Sequence, residues 1–229
     1  MTKSNMGDSS EDNNYNNNNN NNKDNIPIRR NRVGTKNIDL YKWEATSYEL
    51  NESSYATQEY IQDKIRINET DIDSVLTMPQ GHDLNVWQYE QIRQFTLELN
   101  HFIVLFKDIC NSNTCPQMKA TDDWLFLCAS HKQTQECSAI DYIVHTLDST
   151  SSLLNSDKHF PKRIEILASS TKHFQSICRR LYRIFAHAFY HHREVYNEYE
   201  SKTLLHKRFV KFCLKNGLLP KSAIIIKEN

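Results

Sequence analysis

A long helical stretch near the end of the sequence constrains the fold of this chain more than any other feature. Between about Ser169 and Glu200, mostly apolar residues recur at intervals of three and four, the spacing of one face of an α-helix. A helix of this length needs other elements to cover its apolar stripe, so the pattern predicts a packed helical bundle. The stripe consists of Phe174, Ile177, Leu181, Ile184, Ala188, His192, Val195 and Tyr199.

Other segments carry weaker helix signals of the same kind. We predict a mostly α-helical fold in which a small β-hairpin forms around the aromatic-rich run Trp124–Cys128. The signals include capping residues (Ser53 or Ser54, and Asp83), a stop at Pro79, and the closing pair Asn216-Gly217. The predicted helices run over about Tyr55–Ile67, Asp71–Met78, from Asp83 through the stripe Ile92, Phe95, Leu99, Phe102 and Phe106, Ser138–Leu154 and Lys202–Lys215.

Composition excludes several classes of function. The formal net charge is +0 over 229 residues, so no global charge attracts nucleic acid or acidic lipid. No apolar run approaches the roughly 20 residues that span a bilayer. The polar start, Met1–Glu11, predicts no secretory signal and hence a cytoplasmic protein with reduced cysteines. Only four glycines are present, far apart, so a phosphate-binding glycine-rich loop is excluded.

The sequence divides into a tail and one domain. Residues 1–25 are of low complexity and include the asparagine run Asn16–Asn22, which predicts a disordered tail. Residues 26–229 form the predicted domain. The basic stretch Arg29–Lys36 is typical of a solvated arm, with a nuclear signal or a membrane-surface contact as the alternatives.

Two cysteines and a cluster of three histidines could bind a metal ion. Cys110 and Cys115 follow one predicted helix, and His187, His191 and His192 lie within the long helix. Two cysteines and two histidines suit a structural zinc site, although buried thiols and a core histidine explain the same residues. At about 100° per residue, a regular helix places His187 closer to His191 than to His192. Spacing alone therefore weakly favours His191 as the fourth ligand.

Three arginines share one side of the long helix. Arg179, Arg180 and Arg183 face away from the apolar stripe. The pattern alone favours a solvated charged face, with a pocket for a phosphorylated residue as the alternative.

Five sequence blocks stand in a distinctive order and separation. They are Phe95–Asn100, Cys110-x4-Cys115-Pro116-x-Met118, Cys137–Tyr142, Phe160-Pro161 and Arg179–His187. Together they resemble the Mob family, over about residues 28 to 220. Within the family, the chain looks like the phocein branch, because of the stretches Arg29–Lys36 and Trp124–Lys132.

The resemblance implies a fold and two sites. It implies a Mob-type helical bundle with one structural zinc per chain, and its spacing selects His192 rather than His191 as a ligand. The implied ligands are Cys110, Cys115, His187 and His192. Phosphopeptide binding by Arg179, Arg180 and Arg183 is implied as well, because kinase-coactivator relatives use basic residues at the matching positions. No catalytic residue is implied.

The resemblance also implies partners. It points to a non-catalytic adaptor in a striatin-type assembly that joins type 2A protein phosphatase subunits to germinal-centre-type kinases. Peripheral association with Golgi or vesicle membranes and a role in vesicle traffic are implied for the same branch. The alternative is a co-activator that binds an NDR-type protein kinase. A metallohydrolase is a third, weaker alternative, since a filled set of four ligands leaves no position for a catalytic water.

Overall fold

The computed structural model describes residues 33–36, 48–50 and 53–227. Seven α-helices contain most of these residues. They are α1 (Ala56–Asn68), α2 (Ile72–Val75), α3 (Leu84–Val104), α4 (Ala139–Leu154), α5 (Ala168–His191), α6 (Arg193–Thr203) and α7 (Leu205–Lys215). Two 3-10 turns, Tyr48–Leu50 and Lys221–Ala223, precede and follow them. The prediction of a mostly helical fold is confirmed. No helix in the described ranges has the length and apolar character needed to cross a bilayer.

The chain divides into two compact units, residues 1–45 and 46–229. In the first unit the structure describes only residues 33–36, a turn in which Gly34 has a φ of 87°. The predicted disordered tail, residues 1–25, and the arginines at 29, 30 and 32 lie outside the described residues.

Helix α3 is the centre of the second unit. It packs against α1, α4, α5 and α7. All five residues of its predicted apolar stripe are buried, namely Ile92, Phe95, Leu99, Phe102 and Phe106. Burying one isoleucine, leucine or phenylalanine side chain stabilises the fold by roughly 1.5 to 3 kcal/mol, so the stripe is a large part of the core.

The predicted long helix is interrupted at His192. Helix α5 ends at His191 and α6 begins at Arg193, so the prediction of one helix from Ser169 to Glu200 is wrong at that point. The backbone of His192 has φ −135° and ψ 49°, far from helical values. The break is local, because the amide of His192 still donates to the carbonyl of Ala188 at 2.9 Å. Neither proline nor glycine marks it, and the apolar rhythm continues through it.

The predicted β-hairpin is not confirmed. Between α3 and α4, the structure has two isolated antiparallel bridges, Lys119 with Leu125 and Cys128 with Gln135. The side chains of Trp124, Leu125 and Leu127 are 45%, 38% and 49% exposed. The apolar run therefore lies largely at the surface, and burial does not hold it in a regular sheet.

Side-chain caps fix the starts of three helices. The carboxylate of Asp83 accepts hydrogen bonds from the amides of Asn85 at 2.8 Å and Val86 at 2.9 Å. Asp71 and Ser138 cap α2 and α4 in the same way. The predicted serine cap of α1 is wrong, because Tyr55 occupies the N-cap position and makes no side-chain cap.

The cap at Asp83 leads to a first prediction. Asp83→Ala is expected to lower the free energy of unfolding by about 1 kcal/mol, because two amide donors at the start of α3 lose their acceptor. Asp83→Asn should stay close to the native value, since asparagine caps almost equally well. Urea denaturation of both variants measures the difference, and equal stability of the alanine and asparagine variants would contradict it.

Candidate functional site

A tight loop after α3 places two cysteines next to each other. The amide of Cys110 donates to the carbonyl of Phe106 at 2.8 Å, which continues the helical path beyond α3. The amide of Cys115 donates to the carbonyl of Asn111 at 2.8 Å, and the hydroxyl of Thr114 donates to the carbonyl of Ile109 at 2.8 Å. These bonds fold the loop back, so both thiols are buried on its inner side.

The two cysteines meet two histidines from the junction of α5 and α6. Sγ of Cys110 lies 3.5 Å from Nε2 of His187, and Sγ of Cys115 lies 3.5 Å from Nε2 of His192. The four ligating atoms all lie within 4.8 Å of one another. His191 lies outside this group; its side chain is exposed, and its ring stacks on that of His187 at 4.7 Å.

The helix break explains why His192, rather than His191, points to the cysteines. In a continuous helix, His187 and His192 would lie about 140° apart around the axis. The non-helical backbone of His192 turns its side chain towards Cys115 instead. The structure therefore places His192 beside Cys115, a position that a regular helix would not give to it.

The donor set fits a structural zinc ion. Zinc bonds of about 2.3 Å to sulfur and 2.0–2.1 Å to nitrogen give sulfur–nitrogen edges of about 3.5 Å in a tetrahedron. Both cysteine–histidine distances are 3.5 Å. Nδ1 of His187 lies 2.8 Å from the carbonyl oxygen of Lys119, which can only accept, so Nδ1 carries the proton and Nε2 is free to bind a metal. The group can therefore hold a metal ion.

Burial sets the protonation of these side chains. It raises the pKa of the Cys110 thiol to about 12, with the neighbouring Cys115 as the next cause. It lowers the pKa of His187 to about 4, and it also lowers the pKa of His192. Both imidazoles are therefore neutral at physiological pH, as metal ligands must be, and a bound dication would favour the thiolates that burial disfavours.

The lowered pKa of His187 leads to a prediction about pH. The folded chain takes up a proton on His187 only near pH 4, whereas the unfolded chain does so near 6.5. The unfolded chain thus binds more protons in this window, so stability is fully present above pH 6.5 and falls towards pH 4, by up to about 3 kcal/mol. A bound metal ion would not change the sign. Urea denaturation at several pH values measures the effect, and stability that stays constant or rises as the pH falls from 6.5 to 4.5 would contradict it.

The structure brings two of the three arginines together. Arg179 and Arg183 line a groove of about 170 Å³ beside Trp124 and Phe126. A guanidinium nitrogen of Arg183 donates to the hydroxyl of Tyr142 at 2.6 Å, and the guanidinium lies 4.6 Å from the ring centre of Phe126.

Arg180 is turned away from that groove. Its Nε donates to the carbonyl of Ser176 at 3.3 Å, one turn earlier on the same helix. The shared face that the sequence predicts therefore holds for Arg179 and Arg183, and Arg180 would have to leave Ser176 to join them.

Sequence reasoning missed three residues that position these side chains. The carbonyl of Lys119 orients His187, whereas Tyr142 and Phe126 hold Arg183. A backbone carbonyl carries no signal in the sequence. Phe126 lies in the segment predicted as a hairpin and Tyr142 in a predicted helix, and neither pattern indicates a contact with Arg183.

A comparison with known protein families finds one match that covers both candidate sites. The model of the Mob1/phocein family matches residues 64–226, which include all four metal-site residues and the three arginines. The chain belongs to this family.

Two relatives match over nearly the whole length. The chain is 46% identical over 202 residues to "MOB kinase activator-like 4" of Drosophila melanogaster, covering 88% of this chain and 91% of that protein. It is 44% identical over 203 residues to "MOB-like protein phocein" of Caenorhabditis elegans, covering 89% and 91%. "Maintenance of ploidy protein mob1" of Schizosaccharomyces pombe is more distant, 29% identical over 200 residues, with 84% and 86% covered.

Proposed function

We propose that this protein is a non-catalytic adaptor subunit of a striatin-type kinase–phosphatase assembly. The observation that carries the proposal is the identity of 44% over 89% of the chain to a protein named as phocein. The partners we propose are a striatin-type scaffold, type 2A protein phosphatase subunits and germinal-centre-type kinases. Such an adaptor would act in the cytoplasm and, peripherally, on Golgi or vesicle membranes during vesicle traffic.

The proposed cofactor of the four-residue metal site is a structural zinc ion. Cys110, Cys115, His187 and His192 would hold it, and it would fasten the loop after α3 to the junction of α5 and α6. Four protein ligands fill a tetrahedron, which leaves no position for a catalytic water. This argues for an adaptor and against a metallohydrolase.

The proposed contact with a partner is a phosphorylated residue bound in the basic groove. Arg179 is exposed, and Arg183 is held in place by Tyr142 and Phe126, so one guanidinium is preorganised. Guanidinium groups bind phosphate with two parallel hydrogen bonds. Trp124, 45% exposed, offers an apolar surface for the residue next to the phosphate. Arg180 would be a third contact once it is released from Ser176.

A second candidate function is co-activation of an NDR-type protein kinase. It is favoured by the name of the Drosophila melanogaster relative, which describes a kinase activator. Both functions use a docking surface and no catalytic residue, so the partner that is bound distinguishes them.

Affinity capture tests the proposal. Tagged full-length protein should recover a striatin-type scaffold together with phosphatase 2A subunits, identified by mass spectrometry. A stoichiometric NDR-type kinase in their place would support the alternative. Cys213→Ser is a control, because its buried thiol lies in the core away from the groove and should leave the partners unchanged.

A further inference from the structure

A second group of cysteine and histidine side chains lies between α4 and the loop that precedes it. Cys128, His131 and Cys137 come from the loop, and His145 comes from α4. The four ligating atoms all lie within 4.8 Å of one another, and none of these residues belongs to the first group.

The distances in this second group suit a tetrahedral ion. Nδ1 of His145 lies 3.6 Å from Sγ of Cys128 and 3.9 Å from Sγ of Cys137. Nε2 of His131 lies 3.0 Å from Sγ of Cys137. The edges of a zinc tetrahedron with these ligands are about 3.5 Å, and the three distances lie around that value. The two imidazole rings are nearly perpendicular, with an interplanar angle of 85° and centroids 4.9 Å apart, so both can direct a nitrogen to the same point.

We propose that Cys128, His131, Cys137 and His145 form a second structural zinc site. A core role does not explain the group, because only Cys128 is buried and the other three side chains are partly exposed. Hydrogen bonding alone explains it poorly as well. A proton on Nδ1 of His145 points mainly towards one acceptor, whereas both sulfurs lie within 3.9 Å of that nitrogen. A single ion at the centre binds all four atoms at once.

The surrounding loop has little regular structure, although Met118 and Ala120 near its start are buried in the core. The described residues between α3 and α4 form no helix and no regular strand, only two isolated bridges. Three apolar side chains of the run Trp124–Leu127 are exposed and contribute little core. A metal ion that joins the loop to α4 would add a strong cross-link there, as zinc does in other segments with small cores.

The position of the second group suggests what the ion would do. The first site anchors the loop at Cys115, and the second site would anchor it at Cys128 and Cys137. The stretch between these anchors carries Trp124 and Phe126, which line the basic groove with Arg179 and Arg183. The second zinc would therefore hold the aromatic wall of that groove in place. The metal site itself does not depend on the proposed adaptor function.

The number of zinc ions per chain tests this proposal. Zinc in the purified full-length protein is counted by elemental analysis after dialysis against metal-free buffer. We expect two per chain in the native protein, one in Cys137→Ser and in His145→Ala, and one in Cys110→Ser. Cys213→Ser, which changes a buried thiol outside both groups, should retain two.

The outcomes separate the two sites. If the native protein holds one zinc, and Cys137→Ser keeps it while Cys110→Ser loses it, the second site is overturned and the first remains. One zinc with the opposite pattern would support the second site and overturn the first.

A milder variant covers the case in which Cys137→Ser fails to fold. In His131→Ala the changed side chain is partly exposed and lies in the loop, so the helical core should persist. Cobalt titration of protein from which zinc has been removed, followed by the visible absorption of tetrahedral thiolate-bound Co²⁺, should saturate at two equivalents for the native sequence and show a weakened second equivalent in His131→Ala. Identical titrations of the two proteins would overturn the proposal.

Discussion

Cys110→Ser and His187→Ala are each expected to lower the free energy of unfolding by several kcal/mol. Either change removes a proposed zinc ligand where the loop after α3 meets the junction of α5 and α6. Metal binding contributes directly to the free energy of folding when the unfolded chain lacks a preformed site. Loss of a ligand therefore lowers both the metal affinity and the stability of the fold. His187→Ala also leaves the carbonyl of Lys119 without its donor and opens space in the core. The melting temperature and the zinc content of each variant are the measurements.

The matched control for this prediction is Cys213→Ser. Cys213 is as deeply buried as Cys110, but its neighbour is the thiol of Cys178 and it belongs to neither metal group. Its replacement by serine exchanges a weakly polar atom for a hydroxyl and should be much milder. Equal losses of melting temperature in Cys110→Ser and Cys213→Ser would argue against a structural metal ion.

The double variant Arg179→Ala with Arg183→Ala is expected to weaken phosphopeptide binding by a factor of hundreds or more. Charge-assisted hydrogen bonds contribute roughly 1.5 to 3 kcal/mol each, and every 1.4 kcal/mol is about tenfold in affinity. Arg183 is the more preorganised of the two, since Tyr142 and Phe126 fix its guanidinium. Calorimetric titration with a phosphothreonine peptide from a kinase partner, beside its unphosphorylated form, measures the effect.

Two variants on the same helix serve as comparisons. Lys172→Ala removes an exposed cation one to two turns before Arg179 and should leave the affinity unchanged. Arg180→Ala should have an intermediate effect at most, because Arg180 bonds to Ser176 in this structure. If the native protein binds both peptides equally, or if the double variant binds the phosphopeptide as well as the native protein does, the arginines are only a solvated surface.

The helical part of the fold could be predicted because burial leaves a periodic signal. The stripes of α3 and α5 were readable since each buried face repeats every three or four residues. The break at His192 was not readable, because the stripe continues through it and no proline or glycine marks it. The predicted hairpin is not confirmed, because the local pattern does not show whether the run is buried. A short apolar run rich in aromatic residues favours a strand, but the side chains of Trp124 and Leu127 are exposed instead of covering a core.

The candidate sites show the same division between local and long-range information. The cysteine pair and the histidines of the first site were visible as short spacings, but their meeting across 77 positions needed either the fold or the family resemblance. The second group had a signal that could have been used, since Cys128, His131, Cys137 and His145 lie within 18 consecutive positions. In the sequence, these segments are interpreted as an apolar run, a helix start and two stretches of family resemblance, and not as metal ligands. Arg179 and Arg183 line the groove whereas Arg180 bonds to Ser176, and sequence spacing cannot predict these side-chain directions.

Direct binding between purified proteins tests the central claim that this chain is an adaptor of a striatin-type assembly. Full-length protein, loaded with zinc, is mixed with a purified striatin-type scaffold and, separately, with an NDR-type kinase domain. Size-exclusion chromatography with light scattering then gives the mass of each complex. We predict a stable stoichiometric complex with the scaffold and none with the kinase domain. A stable complex with the kinase domain alone would contradict the account.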